Sequence, residues 1–226
     1  MKQSKSPRYL RWIQALRNRG NGMKVIGITG GVGAGKSTVV GILQKHYQVE
    51  YLHCDVIAHE VMEPEGGAYP ELLRVFGEGI LNEDKTVNRS RLYEEAFVKA
   101  DRVEELNACV HPQVRLAVER RLAMLRKSGF SGIALIEAAL LIEAGYKAIC
   151  DELWYVYAPA EVRRARLKAN RGYTDEKVDS IMEEQASEEL FFKECDFVIY
   201  NDSDKEACEA HVMQQVRAHL KGEVTQ

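Results

Sequence analysis

Five short stretches of branched and aromatic residues punctuate the chain, at 24–29, 49–54, 133–141, 153–157 and 197–200, and each reads as a β-strand. Several are apolar runs more than alternations, as in Val25-Ile26-Gly27-Ile28, which is the pattern of strands covered on both faces by helices. Helical spacing of apolar residues fills the intervals, so the pattern predicts an open α/β sheet. The interval 56–128 is long for a single crossover. It holds its own helix, read as started by Pro112 and stopped by Gly129, with Val114, Val118, Leu122 and Leu125 on one face, and is expected to be an inserted helical substrate region. A further helical pair spans 161–170 and 175–190, joined by Arg171-Gly172-Tyr173-Thr174, with Thr174 as N-cap and Asp175 and Glu176 in the first turn. There is no internal repeat and no low-complexity tract.

With 226 residues, one α/β core with appendages is expected. No stretch approaches the roughly 20 apolar residues that span a bilayer. Cys54, Cys109, Cys150, Cys195 and Cys208 are scattered singly, which suggests neither a zinc site nor a disulfide framework and points to a reducing cytoplasm. The net charge of −3 hides an asymmetry. Residues 1–22 carry Lys2, Lys5, Arg8, Arg11, Arg17 and Arg19 and no acid, which leaves −9 on the remainder. An acidic body argues against general nucleic-acid binding and requires a local basic cluster for any anionic substrate. In the basic segment Tyr9, Trp12, Ile13 and Leu16 recur at helical spacing. A membrane-surface helix, a transit peptide and a poorly ordered tail all fit it, and Gly20-Asn21-Gly22 separates it from a domain starting near Met23.

The sharpest chemical signal is Gly30-Gly31-Val32-Gly33-Ala34-Gly35-Lys36-Ser37, directly after the first strand pattern. Glycines at this spacing let successive N–H groups turn inward toward phosphate oxygens, and the following helix adds its positive N-terminus. In such a loop Lys36 reaches the β and γ phosphates of ATP and Ser37 offers its hydroxyl to Mg²⁺. A switch GTPase would also need Asn-Lys-x-Asp and Asp-x-x-Gly, and neither occurs. A motor or transporter ATPase would carry a long apolar strand closing on an acid. The run 133–141, with Glu137 inside it, approximates that and keeps the reading open. A small-molecule kinase is the remaining class, in which catalysis rests on positioning, charge neutralisation and a group that takes the acceptor hydroxyl's proton. Asp55, just past the second strand pattern, suits that last role, with a helix N-cap as its other reading. His53 and His59 flank it as substrate contacts or surface residues, with a metal site as their other reading. Arg163, Arg164, Arg166 and Arg171 crowd one helix and its exit, where one or two are expected to clamp phosphoryl oxygens.

From Met23 to about Leu220 the chain resembles the dephospho-coenzyme A kinase family. The residues that carry the resemblance are the loop 26–38, Asp55-Val56-Ile57-Ala58, Val61-Met62-Glu63-Pro64-Glu65-Gly66, Phe76-Gly77, Asn88-Arg89, His111-Pro112, Leu140-Leu141-Ile142-Glu143, Arg166-Leu167, Gln185, Asp196 and Asn201. His53 replaces an acid usual in the family, and Ala139 and His59 replace a proline and an arginine. Asn170 stands where many relatives have arginine, so both Arg166 and Arg171 match the lid arginine. The resemblance implies a P-loop kinase core of five parallel strands (about 23–55, 130–160 and 191–220), an acceptor-binding helical insertion (about 56–129) and a lid (about 161–190). It implies transfer from ATP to the ribose 3′-hydroxyl of dephospho-coenzyme A, the last step of coenzyme A synthesis, with Asp55, Lys36, Arg166 and Arg171 in catalysis. Gly31, Val32, Gly33, Ala34, Gly35, Lys36, Ser37, Thr38, Arg163 and Asn201 would hold ATP, with Ser37 on Mg²⁺. A long anionic acceptor suits a helix carrying Arg115, Arg120 and Arg121. The expected partner is this small molecule, with no nucleic acid or membrane, on a cytoplasmic monomer or weak oligomer. A kinase for another small hydroxyl compound and a slowly hydrolysing ATP-binding regulator are the competing readings.

Overall fold

The computed structural model describes residues 22–99, 102–138, 140–183, 185, 187–202 and 207–221. The basic segment lies outside the described residues, Gly22 excepted. Strands β1 (Lys24–Thr29), β2 (Val49–His53), β3 (Ile133–Glu137), β4 (Glu152–Tyr157) and β5 (Phe197–Tyr200) form one parallel sheet in the order β2-β3-β1-β4-β5. Alternation within the buried strands explains why both faces are apolar. Ile26 and Ile28 of β1, with Trp154 and Val156 of β4, face a core built from helix α1 (Lys36–His46) and the C-terminal helix α9 (Cys208–Lys221). Gly27 faces the other way, where an added Cβ would press on Leu141 and Leu153. Two aspartates start the ladders. Asp151 accepts from Val25 N at 2.8 Å and donates its own N–H to Val25 O at 2.7 Å, and Asp196 makes the same pair of bonds with Leu153, each at 2.8 Å.

Near the amino ends of β1 and β4, Glu152 draws together Lys24, His219 and Trp154. It forms an ion pair with Lys24, lies 2.9 Å from His219 Nε2 and accepts from Trp154 Nε1 at 2.7 Å. Burial pushes this carboxyl up, but hydrogen bonds from His219, Lys24 and Trp154 outweigh burial and hold it down at about 2. Because the folded value is depressed, the stabilisation is complete above the ordinary value of 4.5 and is lost as pH falls toward about 2. At 1.36 kcal/mol per pH unit it is worth on the order of 3 kcal/mol. Glu152→Gln is therefore expected to lower unfolding free energy by about that much at pH 7 and to leave a smaller acid dependence, as read by denaturant titration at pH 7 and pH 3.

Two strands are shorter than the sequence reading. The second ends at His53, because Cys54 already opens a helix. The third ends at Glu137 and the chain then turns, with Ala144 N–H donating to Leu140 O at 2.8 Å. Leu141 is buried and Leu140 lies 48% exposed, so this apolar run belongs to a turn and not to the sheet. The helical pair expected over 161–190 resolves into α6 (Ala160–Arg171), α7 (Asp175–Glu183) and α8 (Glu188–Glu194). The expected helix 175–190 is broken because Ser187 caps a new one, accepting from Leu190 N at 3.2 Å. Thr174 caps α7 as expected, its hydroxyl accepting from Lys177 N at 3.4 Å.

The chain divides into two compact units, one comprising the described residues up to Tyr51 and from Ser128 onward, the other residues 52–127. In the second unit lie α2 (Cys54–Met62), α3 (Tyr69–Phe76), α4 (Arg89–Tyr93), which runs into a π-helical turn (Glu94–Lys99), and α5 (Val103–Lys127). Pro112 does not start α5 but lies inside it. Val110, Val114, Val118 and Leu122 are all buried at steps of four, so the packed face runs past the proline and offsets its missing N–H. Among the described residues, no helix is long and apolar enough to cross a membrane. No disulfide joins any of the five cysteines.

Candidate active site

In the first unit, Lys36, Arg163, Arg166 and Asn201 converge on the loop between β1 and α1. Gly30 has φ +150°, and any side chain there would overlap the Val156 carbonyl of the neighbouring strand. Gly35, at φ 88°, is the N-cap of α1, where a Cβ would strike Asn201. No side chain caps α1 and no acid sits in its first turn, so its leading amides and positive end face outward without a competing carboxylate. Ser37 and Thr38 are exposed in that turn. The Lys36 ammonium lies on the loop itself, donating to Gly30 O at 2.6 Å and more weakly to Gly31 O at 3.5 Å.

Of the four arginines, two are brought to the loop. Arg163, only 8% exposed, packs against Gly31 and Gly33. Its Nη1 donates to Gln185 Oε1 at 2.9 Å and its Nη2 to Glu188 Oε1 at 3.3 Å. Arg166 Nη1 donates to Ala34 O at 3.3 Å. Arg164 instead pairs with Asp175 and Asp179, which join α6 to α7 and hold its guanidinium charge firmly. Arg171 is exposed at the end of α6, its guanidinium 5.9 Å from the Tyr173 ring centroid. Asn201 is 2% exposed and both of its side-chain polar atoms are engaged, Nδ2 donating to Ala34 O at 2.7 Å and Oδ1 accepting from Cys208 Sγ at 3.2 Å. It shapes the loop from beneath.

Asp55 belongs to the second unit. It is not an N-cap, since His53 occupies that position of α2 and Asp55 is in the first turn. Its side chain is 70% exposed, with Oδ2 3.6 Å from His53 Nε2. In the same unit Arg121 pairs with Glu60 and Arg115 with Glu119, the latter at 2.6 Å. Arg120 is exposed.

The structure adds residues that the sequence reading did not assign to the site. Glu137 is the last residue of β3, in register with Ile28, which places it at the carboxyl end of the strand beside the loop strand. Chain connections leave β1 and β3 toward opposite sides of the sheet, so this is the topological switch point where ligands of open α/β sheets bind. Tyr51 Oη donates to Glu137 Oε2 at 2.6 Å. The signal was present as an apolar strand closing on an acid, but the overextended strand hid its position at the edge. Gln185 and Glu188, which hold Arg163, carried no local signal of that role.

A family model for dephospho-CoA kinase matches residues 24–207. A dephospho-CoA kinase of Moorella thermoacetica is 38% identical over 88% of this chain and 94% of its own length. Among solved structures, a Thermus thermophilus protein superimposes with TM-score 0.71 at 28% identity, covering 90% of this chain and 98% of its own. A dephospho-CoA kinase from Campylobacter jejuni shares the fold with TM-score 0.67 at 21% identity, over 89% of this chain and all of its own. With the match running from the glycine-rich loop through both units to β5, the chain belongs to the dephospho-CoA kinase family.

Proposed function

We propose that the chain carries out its family's reaction, phosphoryl transfer from ATP to the ribose 3′-hydroxyl of dephospho-coenzyme A, with Asp55, Lys36, Arg163 and Arg166 as its principal charged groups. The observation that carries this assignment is the gathering of three cations, Lys36, Arg163 and Arg166, on one glycine-rich loop at an uncapped helix start. The loop amides and the start of α1 hold the triphosphate, and Lys36 exchanges its carbonyl partners for β- and γ-phosphate oxygens. Arg166 is favoured over Arg171 as the lid arginine, because it already touches Ala34 whereas Arg171 rests in solvent beside Tyr173. Asp55 takes the proton of the attacking hydroxyl, and its exposed carboxylate is open to a substrate.

Among the described residues no three His, Cys, Asp or Glu side chains gather as a metal cage. That fits Mg²⁺, which keeps several waters and is held through one or two protein groups and the substrate phosphates. Ser37 and Glu137 are the groups that would hold it, with Tyr51 orienting the carboxylate, and a bound ion would neutralise phosphate charge. The helical unit 52–127 is assigned to the acceptor and 161–190 to the lid. Cysteines without disulfides support a cytoplasmic setting, and an acidic body supports a small-molecule acceptor and not nucleic acid. An ADP-release assay across dephospho-coenzyme A, nucleoside monophosphates and pantothenate tests the acceptor. Turnover is expected with the first, and its absence there would overturn the assignment.

A further inference from the structure

Gln185 lies between α7 and α8, 153 residues from the loop in sequence, yet its carboxamide joins the loop to the lid base. Oε1 accepts from Arg163 Nη1 at 2.9 Å and from Val32 N at 3.3 Å. Both partners are obligate donors, so the oxygen, and not the amide nitrogen, must face them. The arrangement is not optimised for stability alone. Among the described residues, Arg163 Nε and Gln185 Nε2 are buried with no acceptor, a costly state for two N–H groups. Beside them is a cavity of about 150 Å³ lined by Gly31, Tyr155, Arg163, Gln185, Ser187 and Glu188. Burial, reinforced by the charge of Glu188, pushes the Tyr155 phenol well up, so it stays neutral there. Glu188 is the only other polar partner that Arg163 has for its guanidinium among the described residues, and at 3.3 Å it leaves orientation to Gln185.

We propose that Gln185 is a positioning residue for phosphoryl transfer, acting through Arg163 and the Val32 amide. A planar guanidinium can rotate about its long side chain, and a single well-placed acceptor selects one setting. Gln185 sets Arg163 against Gly31 and simultaneously fixes the backbone that follows, so the charge and the cradle are aligned before substrate arrives. This rests on the reading of the loop as an ATP cradle.

Gln185→Met keeps the volume and removes the acceptor. It is expected to lower kcat by about 10-fold, the scale of one hydrogen bond to a charged group, while the acceptor KM stays unchanged. Gln185→Glu restores an oxygen at the same place and is expected to recover most of kcat. In an Arg163→Met background, Gln185→Met should have much less further effect on kcat, because its main target is gone. A structural glutamine would instead lower the thermal midpoint and leave kcat intact. Wild-type kcat in Gln185→Met, no recovery in Gln185→Glu, or full additivity with Arg163→Met would each overturn the proposal. Binding of a nonhydrolysable ATP analogue to the unaltered protein is measured alongside. Absence of that binding would refute the cradle reading itself, whereas intact binding with an inert Gln185 refutes only the positioning role.

Discussion

An Asp55→Asn enzyme is expected to bind ATP as the parent does and to transfer the phosphoryl group roughly 10²- to 10⁴-fold more slowly, the range over which general-base help operates. Asparagine keeps the size and one oxygen but cannot accept the proton of the attacking hydroxyl. The change should not disturb folding. Asp55 is 70% exposed and makes no cap hydrogen bond for α2, so only its favourable charge near a helix start, worth about 0.3–1 kcal/mol, is removed. His53, 3.6 Å away, loses an acidic neighbour without becoming buried. Single-turnover ADP formation and equilibrium binding of a nonhydrolysable ATP analogue separate the two effects, and full turnover in the variant would refute the base assignment.

Lys36→Met should damage both steps. The methionine retains most of the aliphatic stem but offers no donor, so developing charge on the transferred group loses a preorganised partner. Loss of one such donor lowers kcat by about 10²- to 10³-fold in well-studied sites, and ATP affinity should fall as well. There is a local consequence too. Lys36 Nζ donates to the Gly30 carbonyl at 2.6 Å, so the variant also loosens the start of the loop. The contrast with Asp55→Asn is diagnostic: one variant separates binding from transfer and the other does not. Full activity in Lys36→Met would remove the phosphate-cradle argument.

The comparison among the four arginines shows how far a sequence can be read. Crowding of Arg163, Arg164, Arg166 and Arg171 was visible as composition, and the structure brings two of them, Arg163 and Arg166, to the glycine-rich loop. Which of them turn toward the loop depends on the face of α6 that packs against the rest of the unit. Arg163 and Arg166 are three apart and share that face with buried Leu167, whereas Arg164 and Lys168 share another and pair with acids of α7. Pro112 teaches a related lesson. Local propensity argued for a helix start, but a buried stripe at steps of four carried the helix through it. The run after Glu137 has a strand's composition but folds as a turn, because apolar residues in succession do not distinguish a buried strand from a tightly folded turn.

By itself the sequence determined the glycine-rich loop, the presence of five strands with helices between them and the family, because each is written in contiguous residues whose backbone preferences act locally. Only the tertiary structure decided what surrounds the loop. Arg163, Arg166, Gln185 and Asn201 reach it from more than 100 residues away, and Glu137 is brought beside it by the parallel register of β3 with β1. Those placements follow from sheet order and helix facing, which arise from burial of apolar faces across the whole unit, and no local spacing encodes them.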